Sequence, residues 1–280
     1  MLTADQARHA VARDWGRVLD ALDGVDTASW GRPTRCRGWT VLDLIRHAVW
    51  GTSMEADALR RSRAGVPGTA EGHQMAADSD PLDVLAALRS SVAALDDELT
   101  RAAGASVDTT LTIPFGPIPL GFGVNVFAME AGIHADDLLD ALGVDEPLAE
   151  DVVAATSGVI SAVFPALAAQ GGDDLERPAA DTVVTLAGPG VALAFSCRAG
   201  AWTAIDPATV EPGASSAVVG VDDTAALRFA LGRLDPDSPR LRVAPDATPF
   251  NAGSPARERR HGRAAVPRHR PGLRTRAASG

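Results

Sequence analysis

Apolar residues return every three or four positions through most of the first 170 residues, which places them on one face of an α-helix. The pattern is clearest in the segment GFGVNVFAMEAGIHADDLLDAL, where Val124, Phe127, Leu138 and Leu142 recur at helical steps. Helices of this length with mostly modest connections are typical of a helical bundle. Five helices are predicted, over residues 4–23, 41–63, 81–103, 121–142 and 148–170.

Some residues mark where these helices begin and end. Gly24 is expected to end the first helix, and Thr40 with Asp43 three residues later predicts a capping box at the start of the second. Asp80 before Pro81 favours the start of the third helix. A surface connection and the extended stretch TTLTIPFGPIPLG are expected between the helices.

The pattern changes after the tract QGGDDLERPAAD, whose composition predicts a boundary. The segments DTVVTLA, GVALAFSC, GAWTAID and SSAVVGV alternate apolar and polar residues, which favours short strands of a small sheet. An amphipathic helix, DDTAALRFALGRL, and a last strand, RLRV, are predicted to follow. The predicted fold class is α plus α+β, with an N-terminal four-helix bundle followed by a small α+β domain.

We expect four segments along the chain: the bundle over 1–145, a connecting helix over 146–172, the α+β domain over 173–250 and a disordered basic tail over 251–280. The tail holds eight arginines and one acid, so the first 250 residues carry about −17 of a net charge that totals −10. An acidic body argues against nucleic acid as the main partner.

Other features favour a cytoplasmic protein. No apolar run approaches the ~18 residues needed to cross a bilayer, and the N-terminus is typical of an amphipathic helix rather than a signal peptide. Two cysteines, Cys36 and Cys197, do not make a disulfide framework. Cys36 is either a reactive thiol or, as we favour, a packed residue.

The candidate chemistry lies on the fourth helix. Glu130 and His134 are four residues apart, so both side chains are on one face and can reach one metal ion. His47, in the second helix, is the best candidate for a third ligand. Three protein ligands leave a coordination position open, as in catalytic sites, and two imidazoles with one carboxylate suit zinc, iron and nickel.

Each of these residues has a simpler interpretation. Glu130 and His134 could be a solvated helix pair, although their apolar neighbours favour a partly buried face. His47 could be a core-edge histidine bonded to a backbone carbonyl. Asp137 either holds His134 in place or belongs to a surface run with Asp136 and Asp140.

The segment WGRPTRCRGWTVLDLIRHAVW resembles the N-terminal signature of the mycothiol-dependent maleylpyruvate isomerase family, which belongs to the DinB-like metal-binding bundles. That family has a Pro-Thr-x-Cys-x-Gly-Trp-Thr run, a helix with a histidine, and later a Glu-x-x-x-His-x-x-Asp helix. The matching residues here are Pro33, Thr34, Cys36, Gly38, Trp39, Thr40, His47, Glu130, His134 and Asp137. The resemblance covers roughly residues 5–245.

The resemblance implies that His47, Glu130 and His134 bind a metal, usually zinc, with water completing the shell and Asp137 beside them. It also implies a sterol-carrier-like α+β domain with a helix that ends in Gly-Arg, matched by Gly232 and Arg233. Arg233, and less directly Arg228, could then bind a carboxylate-bearing substrate. The alternative is an exposed arginine at a helix end.

By the same resemblance, the activity would use the thiol mycothiol as cosubstrate. A zinc-bound thiolate could add to a double bond and leave again, which is isomerisation, or attack an electrophile and stay attached, which is S-transfer. The expected partners are a small thiol and a small electrophile, without nucleic acid or membrane. The alternative function is a non-catalytic metal-binding or small-ligand-binding protein of the DinB-like superfamily.

Overall fold

The protein is described by a computed structural model over residues 1–170, 181–211 and 216–243. From its N-terminus, the described chain forms three helices, a β-hairpin and two more helices. It ends in a five-stranded sheet with one further helix. The predicted disordered tail over 251–280 lies outside the described residues. The helices are α1 (Ala4–Leu22), α2 (Val41–Ala64), α3 (Pro81–Ala102), α4 (Leu120–Ala141), α5 (Glu150–Gln170) and α6 (Asp223–Ala230).

Side-chain caps fix where the predicted helices begin. Thr40 accepts a hydrogen bond from the Asp43 N–H and Asp43 bonds back to Thr40, which is the predicted capping box. Asp80 caps α3 ahead of Pro81, as predicted. Gly65, at φ +63°, ends α2 in the left-handed conformation that glycine adopts without steric cost.

Helices α1 to α4 enclose one apolar core. Their inward faces carry the apolar residues that the helical spacing predicted. Helix α4 contributes Phe127 and Leu138, both essentially fully buried. The other large side chains in this core include Val11, Trp15, Val18, Leu22, Leu44, Ile45, Leu88 and Leu95. Because α2 and α4 both border this core, they bring side chains from distant parts of the sequence together.

The extended stretch before α4 forms a hairpin of β1 (Thr110–Ile113) and β2 (Gly116–Pro119). The connection between α2 and α3 is held to this hairpin, since the Ala70 N–H donates to the Thr112 carbonyl at 2.9 Å. Ala70 is buried, so the predicted surface connection contributes one residue to the interior.

The C-terminal strands form a mixed sheet in the order β5–β4–β3–β6–β7. Strand β3 pairs with β4 antiparallel and with β6 parallel. Helix α5 covers the sheet, where Phe164 packs against Phe195 and Trp202 with ring centroids 4.4 and 5.5 Å apart. The strands are β3 (Thr182–Ala187), β4 (Ala192–Arg198), β5 (Ala201–Ile205), β6 (Ser216–Gly220) and β7 (Leu241–Val243).

A buried ion pair ties α6 to the bundle. Arg228 is 1% exposed and donates to both carboxylate oxygens of Asp136 on α4, at 2.5 and 2.9 Å. It also donates to Asp145 and to the Glu146 carbonyl. Arg228 is therefore engaged in joining the two parts of the molecule and is not free to bind a substrate. The predicted fold class is confirmed: a helical bundle is followed by an α+β unit.

Among the described residues, no helix is both long enough and apolar enough to cross a membrane.

Candidate metal centre

His47 is positioned by the start of α2. The cap at Thr40 sets the first turn of the helix, and His47 follows two turns later on the side that faces α4. Its ring lies between two indoles, with centroids 4.9 Å from Trp39 and 5.7 Å from Trp50. These aromatic contacts restrict the rotation of the imidazole.

Helix α4 supplies the two other predicted ligands. Glu130 and His134 are one turn apart, and Glu130 Oε2 lies 3.0 Å from His134 Nε2. The rings of His47 and His134 meet edge to face, with centroids 5.1 Å apart. One possible ligand atom from each of the three residues lies within 4.8 Å of the other two. The structure therefore brings together the residues that the sequence singled out.

The donor set fits a divalent ion. His134 is 6% exposed, and its Nε2 makes no well-directed hydrogen bond among the described residues despite its closeness to Glu130. A buried nitrogen without such a partner is costly unless it binds something else. The Glu130 side chain is 37% exposed, so the cluster is open to solvent on that side. An imidazole–carboxylate–imidazole set open on one side is the arrangement of a catalytic metal site.

The charges of the three side chains depend on one another. Burial, together with the positive charge of His134, lowers the pKa of His47 to about 4, so this ring is neutral. Burial also opposes charge on His134, but the nearby Asp137, Cys36 and Glu130 outweigh burial and raise the pKa of His134 well above its usual value. A cation bound by His134 would displace the proton of this ring.

Asp137 stands directly behind His134. It is fully buried, and its Oδ2 lies 3.5 Å from His134 Nδ1. Burial opposes its ionisation, but His134 and Arg233 outweigh burial and hold the pKa of Asp137 below its usual value. The alternative that Asp137 belongs to a surface run is wrong, because neither Asp137 nor Asp136 is exposed.

Arg233 reaches this cluster from the turn after α6. Its Nη2 donates to Asp137 Oδ2 and to Cys36 Sγ, each at 3.3 Å, and its Nη1 donates to the Leu231 carbonyl at 2.7 Å. The side chain is 22% exposed. It is therefore not a solvated helix-end arginine, and its guanidinium faces the metal centre from the α+β unit.

Sequence reasoning left the role of Cys36 open and did not consider Glu55. Cys36 is half-buried and donates its thiol hydrogen to Asp137 at 3.1 Å, so it belongs to the polar cluster rather than to the apolar core alone. Its place in the Pro-Thr-x-Cys run was the only signal for this. Glu55 is buried on α2, and its spacing of eight residues from His47 could have revealed it.

Comparisons with known proteins agree with this geometry. Residues 11–139 match the family model described as the mycothiol maleylpyruvate isomerase N-terminal domain. Two curated relatives are uncharacterized proteins of Mycobacterium tuberculosis, from the strains CDC 1551 / Oshkosh and ATCC 25618 / H37Rv. Each is 27% identical over an alignment of 188 positions, and the match covers 64% of this chain and 94% of the relative.

Solved structures match over a longer range. A mycothiol-dependent maleylpyruvate isomerase and a His-to-Ala mutant of it each superpose with a TM-score of 0.61 at 16% identity, covering 87% of this chain and 93% of the solved one. At this identity the likeness shows the fold alone. The resemblance predicted from the sequence is confirmed.

Proposed function

We propose that the chain is a metal- and thiol-dependent enzyme, and the match of residues 11–139 to the mycothiol maleylpyruvate isomerase N-terminal domain model supports this proposal. His47, Glu130 and His134 hold a divalent ion, and mycothiol is the thiol cosubstrate that reacts with a small electrophile. The observation that carries this proposal is the convergence of those three side chains within 4.8 Å on a face open to solvent.

Zinc is the proposed metal, since two neutral imidazoles and a carboxylate with a free position are a common zinc set. A bound zinc ion would supply the positive charge that keeps a thiol deprotonated near neutral pH. On the protein side, Glu130 provides the negative ligand, and Asp137 fixes the ring of His134 from behind.

Arg233 is the proposed substrate-binding group. Its guanidinium is already held beside Asp137 and Cys36, so binding a substrate carboxylate requires little reordering of the side chain. A substrate carboxylate bound by Arg233 would lie close to His134, since Asp137 is near both residues. Release of the thiol after addition gives an isomerase, and its retention gives an S-transferase.

The solved structures with the same fold are of a mycothiol-dependent maleylpyruvate isomerase. Maleylpyruvate isomerisation is therefore the first activity to assay here. The second is the conjugation of mycothiol to simple epoxides and halides. We further propose a cytoplasmic location, where thiols such as Cys36 and Cys197 stay reduced.

The test compares metal content and thiol-dependent turnover in the parent and in His134→Ala. We expect near-stoichiometric zinc and turnover in the parent, and loss of both in a folded His134→Ala variant. His73→Ala is the matched control, because His73 is exposed and outside the cluster. A metal-free parent after reconstitution contradicts the proposal. Metal retention without thiol binding would instead favour the non-catalytic metal-binding function.

A further inference from the structure

Glu55 is a buried acid without an evident structural purpose. It is 3% exposed, and its Oε2 makes no hydrogen bond in the part of the chain that the structure describes. Burying a carboxyl group without a partner is costly. The contrast is Glu98 on α3, also buried, which is paired with Arg63 and Arg101.

Glu55 lies on the same side of α2 as the metal centre. His47, Gly51 and Glu55 are spaced by four residues, so their side chains follow one another along one side of the helix. Burial raises the pKa of Glu55 well above its usual value, and the negative charge of Glu130 adds to the effect. Glu55 is therefore within electrostatic reach of a proposed metal ligand.

Gly51 leaves open space between His47 and Glu55. A Cβ placed at Gly51 would meet no atom within 4 Å beyond its own stretch of helix, and the residue is half-exposed. Glycine in a helix interior is destabilising relative to alanine. A side chain at position 51 would therefore begin in open space, so close packing at the Cβ position does not account for the glycine.

We propose that the ligand space of the metal centre extends from His47 over Gly51 to Glu55, where the Glu55 carboxyl group binds a hydroxyl or amide group of the thiol ligand. This inference rests on the proposed function, in which a thiol occupies the centre. A hydroxyl group can pair with a carboxyl group in either of its protonation states. Mycothiol carries sugar hydroxyl groups, whereas ethanethiol carries none, so Glu55 determines which thiols bind rather than whether a thiol binds.

The first test replaces Glu55 by leucine and measures thiol binding to the zinc-loaded protein by calorimetry. We expect Glu55→Leu to weaken mycothiol binding about tenfold or more and to leave ethanethiol binding unchanged. Unchanged mycothiol affinity overturns the inference. Equal loss of both thiols overturns it too, because Glu55 would then act through the metal.

Thermal unfolding separates this role from a structural one. Because Oε2 has no partner, Glu55→Leu is expected to unfold at or above the temperature of the parent. A marked fall in that temperature for both Glu55→Leu and Glu55→Gln would mean that the carboxyl group supports the fold, and it would overturn the inference.

The second test fills the space over Gly51. We expect Gly51→Leu to retain zinc and lose mycothiol binding, while Gly16→Leu, at a helix glycine that also has open space beside it, binds as the parent does. Mycothiol binding by Gly51→Leu at the affinity of the parent overturns the extension of the ligand space.

These outcomes separate the inference from the function on which it rests. A zinc-loaded parent that binds no thiol overturns the proposed function and the inference with it. If the parent and Glu55→Leu bind mycothiol with equal affinity, the inference is overturned and the proposed function is not.

Discussion

His134 contacts two different sets of side chains through its two ring nitrogens. Nε2 faces Glu130 and the ring of His47, and Nδ1 faces Asp137. An imidazole that binds a metal through one nitrogen is usually held in orientation by a carboxylate at the other. The geometry of the whole centre therefore depends on Asp137, which does not itself belong to the proposed ligand set.

We expect Asp137→Asn to weaken zinc binding about 10- to 100-fold, because an amide is a poorer acceptor for the Nδ1–H group of His134. Competition with a chromophoric chelator measures this change. Asp20→Asn, on the exposed side of α1, is the control and should bind zinc as the parent does. Unchanged affinity in Asp137→Asn would mean that His134 is oriented by its packing alone.

Single residues of the centre could be predicted where local spacing determines them. Glu130, His134 and Asp137 follow one another at steps of about one helix turn, so the sequence predicts directly that they share a face. The contact of Arg233 with Cys36 joins residues 197 positions apart, and no local pattern contains it. Only the resemblance pointed to Arg233 at all, and nothing pointed to the hydrogen bond between Cys36 and Asp137.

At the scale of elements, Asp57 fastens α2 to the connection that follows it. Its carboxylate accepts from Arg60, Arg61 and the backbone N–H of Glu71. Burial opposes its ionisation, but these donors outweigh burial and hold the pKa of Asp57 below its usual value. The connection thereby stays close to α2 near the hairpin that precedes α4.

Asp57→Asn is expected to lower the free energy of unfolding at pH 7 by about 1–3 kcal/mol, since it removes a charged acceptor from several donors. A lowered pKa in the folded state stabilises the protein fully above the unfolded value of about 3.9. The contribution is lost as pH falls through the folded value. The difference between parent and variant should therefore be constant at pH 5–8 and shrink below about pH 4.

Urea unfolding at several pH values measures this difference. Asp96→Asn, on an exposed face of α3, is the control and should change stability little at any pH. A difference between parent and Asp57→Asn that persists undiminished at pH 3 would contradict the ionic explanation.

The elements themselves were largely predictable, because caps and apolar spacing are local. The capping box at Thr40 and the proline start of α3 place two helix starts to the residue. Strand order is a different matter. The parallel pairing of β3 with β6 brings together segments separated by two intervening strands, and alternation of apolar residues cannot specify which strand pairs with which.

At the scale of the whole molecule, two consecutive aspartates of α4 bind two arginines of the α+β unit. Asp136 pairs with Arg228, and Asp137 pairs with Arg233. Both carboxylates are buried, so their charges need compensation, and Asp136 is also paired with Arg35 at 2.9 Å. The same helix turn therefore contacts both the C-terminal unit and His134 of the proposed metal centre.

Arg228→Met should destabilise the protein by about 1.5–3 kcal/mol, because it removes one of the two arginines, Arg228 and Arg35, that pair with the buried Asp136. Arg89→Met is the matched control: its pair with Asp23 is exposed, and such pairs contribute about 0–1 kcal/mol. Chemical denaturation compares the two variants. Equal small losses would mean that Arg35 alone compensates the charge of Asp136.

The division of the chain was predicted from composition, and we propose it here as 1–145, 146–172 and 173–250. The middle segment contains α5, which packs against α4 on one side and against the sheet on the other. Composition could predict where the helical spacing of apolar residues gives way to alternation. It could not predict the Arg228 and Arg233 contacts, because they depend on how the two parts meet.

The adjacent Asp136 and Asp137 limit which C-terminal halves can be joined to this bundle in a chimaeric protein. A chimaera that joins this bundle to the C-terminal half of a distant relative would keep the three proposed metal ligands and the pair of Arg35 with Asp136, yet it would lose Arg228 and Arg233. Two adjacent aspartates, two and three positions after His134, would then lack part of the positive charge that balances them. Domain shuffling at this junction is therefore constrained by an electrostatic match, and the two halves have to be exchanged as a pair.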